Sequence, residues 1–292
     1  MPRPSRTLHA RRWCASERWA TAVGERHSFS RAAKTLLGWV IIIASLAVWA
    51  VFVIPPTLLL QSAWPGVRDR FSDLTSALLR VYVRSLLFMR LRVEGREYRI
   101  KEPRLLAINH QSWLDPIVML GLEPRAAGPA KSSMLRAPVM GTVLRIVGFY
   151  DFALGGVPGL ERMQRSAQYA RERDGGLLFF PEGTRSRTGE IGPFRRGAFR
   201  MAVDHDLPIQ PVVIEGLDRV LPPGNSIVKS PGRPLVRVRY LPAIHPPYGS
   251  GVRRDVVRAL TDRVRNLLVD ELARMRAERT ASCGEAAADP RA

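Results

Sequence analysis

From residue 35 to residue 67 the chain carries no charged side chain, and Lys34 and Arg68 bound that stretch. Its first part, LLGWVIIIASLAVWAVFVI at 36–54, is long enough as a helix to cross a hydrocarbon core of about 30 Å. Pro55-Pro56 follows. Two residues that lack the backbone donor and crowd the preceding turn predict a break in the helix at that point. A cleaved leader fits poorly, because the apolar stretch is too long and starts too far from Met1. Trp39 and Trp49 favour a membrane segment over a buried core helix.

Charge bears on which side of a membrane the rest would occupy. Residues 1–34 hold seven Arg and one Lys against Glu17 and Glu25, the composition of a disordered or surface-bound tail that stays cytoplasmic. The following flank is basic too, through Arg68, Arg70, Arg80, Arg84, Arg90 and Arg92. A re-entrant hairpin turning near Pro55-Pro56 would keep both flanks on one side. Apolar Phe71, Leu74, Leu78, Val81 and Leu86 recur at helical spacing beside Arg80 and Arg84, which predicts a helix over 71–93 that lies in a headgroup layer or, equally well by this pattern, packs as an ordinary amphipathic core helix. Residues 35–93 are therefore expected to form membrane-anchoring and interfacial helices. Cys14 and Cys283 lie near opposite ends in polar segments, so neither a disulfide framework nor a cysteine metal site is expected.

Beyond residue 94 the pattern changes to strands alternating with helices. Strands are expected at 105–109, 176–180, 209–214 and 235–241, and helices at 116–122, 133–147 (interrupted by Pro138 and Gly141), 160–173, 197–204 and 252–275. This alternation predicts an α/β domain over 94–276, a mixed sheet flanked by helices, with residues 277–292 as a disordered end.

Two local groups carry chemistry. In Asn109-His110-Gln111-Ser112-Trp113-Leu114-Asp115 an imidazole and a carboxylate lie five positions apart, just after an apolar strand. Five residues of one straight helix turn through about 500°, so the pair meets only across a strand-to-helix turn, and Pro116 fits the first turn of a new helix. His110 would then act as general base and Asp115 would orient and stabilise its protonated ring. In Phe180-Pro181-Glu182-Gly183-Thr184-Arg185-Ser186 a buried strand ends at a proline, where α/β domains bind ligands. Gly183 permits close backbone approach there, and Arg185 offers a planar fork for a phosphate.

These blocks, with residues 131–148 and Ile209-Gln210-Pro211-Val212-Val213-Ile214, resemble in order the four motif regions of the membrane glycerolipid acyltransferases, a family that includes 1-acylglycerol-3-phosphate acyltransferases. The resemblance spans about residues 93–216. It implies transfer of a fatty acyl group from acyl-CoA or acyl-carrier protein, as co-substrate, to the hydroxyl of a lysophospholipid. Catalysis would fall to His110 and Asp115, and headgroup binding to Lys131, Glu182, Gly183, Thr184 and Arg185. No cofactor or metal is implied. Membrane lipids are expected partners, at a bacterial inner membrane with the catalytic domain on its cytoplasmic side. One departure bears on the acceptor: Leu154 stands where relatives carry a phosphate-binding arginine, with Arg162 and Arg165 as substitutes, so another lysolipid such as a lyso-ornithine lipid is an alternative acceptor.

Two readings from other classes follow from the same residues. A net charge of +19, from 45 Lys and Arg against 26 Asp and Glu, draws a chain to nucleic acid or anionic lipid. A membrane-tethered nucleic-acid-binding protein has no recognisable module to support it. A pseudoenzyme that only presents lysolipid would have no need of His110 and Asp115.

Overall fold

The first described helix runs through the two prolines that predict its end. The computed structural model describes residues 36–37, 40–41, 43–64, 66–85, 89–151, 156–221, 234–247 and 254–288; the expectations for 1–34, Leu154 and 289–292 lie outside them. Residues 43–48 are helical, a wider π turn spans Trp49–Val53, and helix α1 spans Ile54–Leu60. Pro55 and Pro56 occupy the first turn of α1, where a missing donor leaves no bond unmade. In the wide turn the Ile54 amide donates to the carbonyl of Trp49, five residues back, so the ladder gives way there without ending the helix. The turn comes later, beginning at residues 61–64, and not at Pro55-Pro56.

Helix α2, Val67–Ser85, returns from that turn, and Trp49 meets Phe71 edge-on at 4.7 Å. Ile54, Ile146 and Val147 complete a small apolar cluster beneath α1. The other side of this hairpin remains apolar and uncovered: Phe52 is 72% exposed and Leu59 77%, with Leu74, Leu78 and Val81 of α2 exposed as well. Ile43–Leu60 is long and apolar enough to cross a membrane. The predicted face of α2 is thus divided, because Phe71 and Val83 point inward with the small Ser72 and Ser76. Gly121 lets α3, Asp115–Leu122, approach α2 so closely that a Cβ there would lie 3.2 Å from the Arg80 backbone nitrogen.

The α/β unit begins earlier than residue 94. Strand β1, Arg90–Glu94, belongs to the sheet and not to the anchoring helices. With β2 (Arg104–Ile108), β5 (Gly176–Phe179), β6 (Ile209–Glu215) and β7 (Leu235–Tyr240) it forms a mixed sheet ordered β1-β7-β6-β2-β5. Among the described strand pairs of this sheet, only β6–β7 is antiparallel. Short strands β3 (Pro129–Ala130) and β4 (Tyr150–Asp151) pair separately.

Successive side chains of a strand point to opposite faces, and both faces of β2 are buried. Leu105 and Ala107 join one core with α7 (Gly197–Asp204) and α9 (Arg254–Ala288); Leu106 and Ile108 join the other with α2, α3 and α8 (Leu217–Val220). Between β3 and β5 lie α4 (Ser132–Arg136), α5 (Pro138–Val147) and α6 (Gly156–Glu172). Pro138 does divide the predicted 133–147 helix, with the break at Ala137, whereas Gly141 lies inside α5 and interrupts nothing.

At the end of the chain the expected disordered tail is, through Ala288, a continuation of α9. On β7, Val236, Val238 and Tyr240 face one core, which turns Arg237 and Arg239 towards α9. Arg239 pairs with Glu271 and, at 2.7 Å, with Glu278, while Arg237 pairs with Glu94 at 2.9 Å. Glu278, polar and past the last apolar position of α9, is therefore a fastening point. Its hydrogen bond from Arg239 is the main cause that holds its carboxyl near about 2. A carboxyl held below its ordinary value of 4.5 adds stability above that value and loses it as pH falls through about 2. Glu278→Gln should therefore lower the thermal midpoint at pH 7, and this difference should vanish near pH 2; a pH-independent difference would contradict the ion-pair role.

Candidate active site

Three backbone-directed side chains fix the loop that carries His110. Asn109 leaves the end of β2 and replaces the next rung of the ladder: its Nδ2 donates to the Ile214 carbonyl at 2.9 Å and its Oδ1 accepts from the Ile214 amide at 2.8 Å. Freed from the sheet, residues 110–114 turn into α3, which starts at Asp115 with Pro116 in its first turn. Asp115 then reaches back over its own loop. Its Oδ2 accepts the Gln111 amide at 2.6 Å and the Ser112 amide at 2.7 Å, and lies 2.8 Å from Nδ1 of His110. Ser112 Oγ donates to the Leu221 carbonyl at 2.7 Å.

Asp115 is fully buried, whereas the His110 side chain is 17% exposed. Burial pushes the Asp115 carboxyl up, opposed by the imidazole and the two amides. Three donors converging on one oxygen favour the ionised carboxylate, which assigns the proton on His110 to Nδ1. Nε2 is then left with its lone pair available to an incoming hydroxyl. Phe180 stacks on the ring, centroids 4.3 Å apart and planes 29° from parallel, and holds its other degree of freedom.

Strand β5 runs parallel to β2, with Gly176 opposite Arg104, so both strands end on the same edge and deliver the two predicted blocks side by side. Gly183 adopts φ 71°, and a Cβ there would lie 2.6 Å from Nε of Arg195. Glu182, expected as a headgroup ligand, ties two loops together. Its Oε1 accepts the His110 amide at 2.9 Å and its Oε2 accepts the Gly192 amide at 3.0 Å. Both oxygens thus have partners, and the residue positions the loop that carries His110; its carboxyl is raised chiefly by burial. The Ser186 amide donates to the His110 carbonyl at 2.8 Å, a second stitch between the blocks.

Arg185, expected at the acceptor's phosphate, lies against the same loop. Its guanidinium lies over the Trp113 ring, 4.4 Å from the centroid, and its Nη1 is buried with no hydrogen-bond partner among the described residues. A cation held flat on an aromatic face with an unused donor is prepared for an anion. Thr184 is exposed beside it. Lys131 is exposed at the start of α4, where its carbonyl accepts the Met134 and Leu135 amides; no hydrogen bond or ion pair ties its side chain to His110.

The supports of the neighbouring loop are not legible from local motifs. Gln111 Nε2 donates to the Gly189 carbonyl at 2.9 Å, and Arg276 of α9 donates to the same oxygen at 2.7 Å. Arg265 holds the Gly192 and Ile191 carbonyls at 2.9 and 3.1 Å. Helix α9 therefore braces the segment that completes the Glu182 clamp, across sequence separations of 73 to 87 residues.

An acyltransferase family profile matches residues 90–215, the stretch from β1 to β6 that carries both blocks. The mouse 1-acyl-sn-glycerol-3-phosphate acyltransferase alpha is 33% identical over 196 residues, covering 66% of this chain and 67% of that one. The Saccharomyces cerevisiae 1-acyl-sn-glycerol-3-phosphate acyltransferase is 29% identical over 192 residues, covering 64% of this chain and 61% of the relative. The chain thus spans about three fifths of the yeast protein's length. Its fold is that of the Thermotoga maritima 1-acyl-sn-glycerophosphate acyltransferase PlsC crystal structure, with a TM-score of 0.69 and 20% identity over 86% of this chain and 98% of that one. The hydrogen-bonded His110-Asp115 pair and the Glu182 clamp lie inside the matched segment, and this chain belongs to the acyltransferase family.

Proposed function

We propose that the protein moves a fatty acyl group from a thioester, acyl-CoA or acyl-carrier protein, to the free hydroxyl of 1-acyl-sn-glycerol 3-phosphate, forming phosphatidate. The observation that carries this reading is the 2.8 Å contact between His110 Nδ1 and buried Asp115, which leaves Nε2 as the proton acceptor. A free alcohol is a weak nucleophile at neutral pH, and a base in contact with it removes that handicap. As Nε2 takes the hydroxyl proton, the oxygen attacks the thioester carbonyl and the new ester C–O bond forms. The C–S bond breaks when the tetrahedral intermediate collapses, and the imidazolium returns its proton to the leaving thiolate. Asp115 stabilises the imidazolium between these steps. No acyl-enzyme is required.

Arg185 supplies the acceptor's phosphate contact through its unused donor. The apolar hairpin of α1 and α2 supports attachment to a membrane, where a lysolipid acceptor resides; a bacterial inner membrane with the catalytic unit on its cytoplasmic face fits the basic flanks. Purified protein given lysophosphatidate and labelled acyl-CoA or acyl-carrier protein should form phosphatidate with at least one donor. Failure with both would reject the reading. Arg185→Ala should raise KM for lysophosphatidate about 10- to 100-fold, the worth of a charge-assisted hydrogen bond of roughly 1.5–3 kcal/mol, with a smaller change in kcat. An unchanged acceptor KM would remove Arg185 from the headgroup site.

A further inference from the structure

A second basic site lies outside the catalytic constellation. A cavity of 680 Å³ is walled by Arg68 of α2, Arg136 and Arg145 of α4 and α5, and Arg162 and Arg165 of α6, with Asp151 as its one acidic residue. His110, Asp115, Glu182 and Arg185 do not line it. We propose that this cavity binds the phosphate headgroup of an anionic bilayer phospholipid, in addition to the acceptor used at His110.

Charge is the first argument. Five guanidinium groups around one concavity repel one another, and the carboxylates beside them, Asp151 in the wall and Glu161 at 3.9 Å from Arg165, are too few to balance them. An anion bound among them relieves the repulsion and gains planar, charge-assisted hydrogen bonds. Two of the arginines are already fixed in place. Arg68 donates to the Ile146 carbonyl at 3.1 Å and the Arg145 carbonyl at 3.3 Å, and Arg145 donates to the Leu135 carbonyl.

Position selects a lipid over a soluble anion. Arg68 sits in the first turn of α2, directly after the turn that joins it to the apolar helix. Phe149, which lines the cavity, also packs on the Trp49, Ile54 and Phe71 cluster beneath that helix. At the same level Arg70 lies 5.8 Å from the centroid of exposed Trp64, and an arginine and a tryptophan together at the end of an apolar helix mark a headgroup layer. A phospholipid whose tails lie against α1 and α2 can present its phosphate to this cavity from the bilayer side.

The test counts bound lipid by native mass spectrometry on the full chain in neutral detergent, titrated with phosphatidylglycerol or phosphatidylcholine and no acyl donor. Turnover plays no part, so the result stands apart from the acyl-transfer reading. Wild type should bind phosphatidylglycerol about tenfold or more tightly than phosphatidylcholine, since each basic side chain near an anionic headgroup strengthens attachment roughly fivefold. The triple variant Arg136→Gln, Arg162→Gln, Arg165→Gln should lose that preference, and the corresponding triple lysine variant should keep most of it. No preference in wild type, a preference that survives in the glutamine variant, or one lost equally in the lysine variant would overturn the proposal. Displacement of phosphatidylglycerol by equimolar inorganic phosphate or CoA would also overturn it, by making the cavity a soluble-anion site.

Discussion

His110→Ala is expected to lower kcat for acyl transfer about 10³-fold or more, within the range a positioned general base supplies. The fold should survive, because the contacts that hold this position are made by its backbone. The His110 amide donates to Glu182 and its carbonyl accepts from Ser186, and alanine keeps both. Only the imidazole, its stacking on Phe180 and its contact with Asp115 are lost. Steady-state rates on membranes, with thermal unfolding and membrane flotation as controls, should separate a dead enzyme from a misfolded one. A variant with near-normal turnover would remove His110 from the mechanism.

Asp115→Asn is expected to cost about 10²- to 10⁴-fold in kcat, since a neutral amide neither holds the imidazole tautomer firmly nor stabilises the imidazolium. An asparagine oxygen can still accept the Gln111 and Ser112 amides, so the loop should keep its shape. Asp115→Ala differs in kind. It leaves two buried amides without an acceptor, at a cost of about 2–4 kcal/mol in stability, and should lower the unfolding midpoint as well as the rate. Comparing the variants by rate and midpoint therefore divides the carboxylate's two duties. If Asp115→Asn kept more than a tenth of wild-type kcat, orientation of the imidazole by a charged partner would be disproved.

The features legible in the sequence are those whose cause lies within a few residues. His110 and Asp115 meet across a turn of five residues, and Pro116 marks the helix start that brings them together. Gly197–Asp204 has the predicted limits because its apolar period is short and unbroken. Features set by distant partners were hidden. Strand β1 reads as basic and amphipathic, RLRVE, until β7 pairs with it. Residues 277–288 look like a polar end until Arg237 and Arg239 meet Glu278. Glu182 resembles a ligand for a headgroup because an acidic residue beside Gly183 and Arg185 gives no local sign of its amide partners at positions 110 and 192. At Pro55-Pro56 the local rule was right about the missing donors, yet a single wide turn accommodates them within a continuing helix.

The relation of this constellation to its substrate is tested most directly by a panel of lysolipids. Purified wild type, with His110→Ala in parallel, would be incubated with a labelled acyl donor and lysophosphatidate, lysophosphatidylcholine or a lyso-ornithine lipid, and the products resolved. Labelled phosphatidate from lysophosphatidate, strongest among the acceptors and absent with His110→Ala, is the predicted result. Product formed only from another lysolipid, or formed equally by the two proteins, would contradict it.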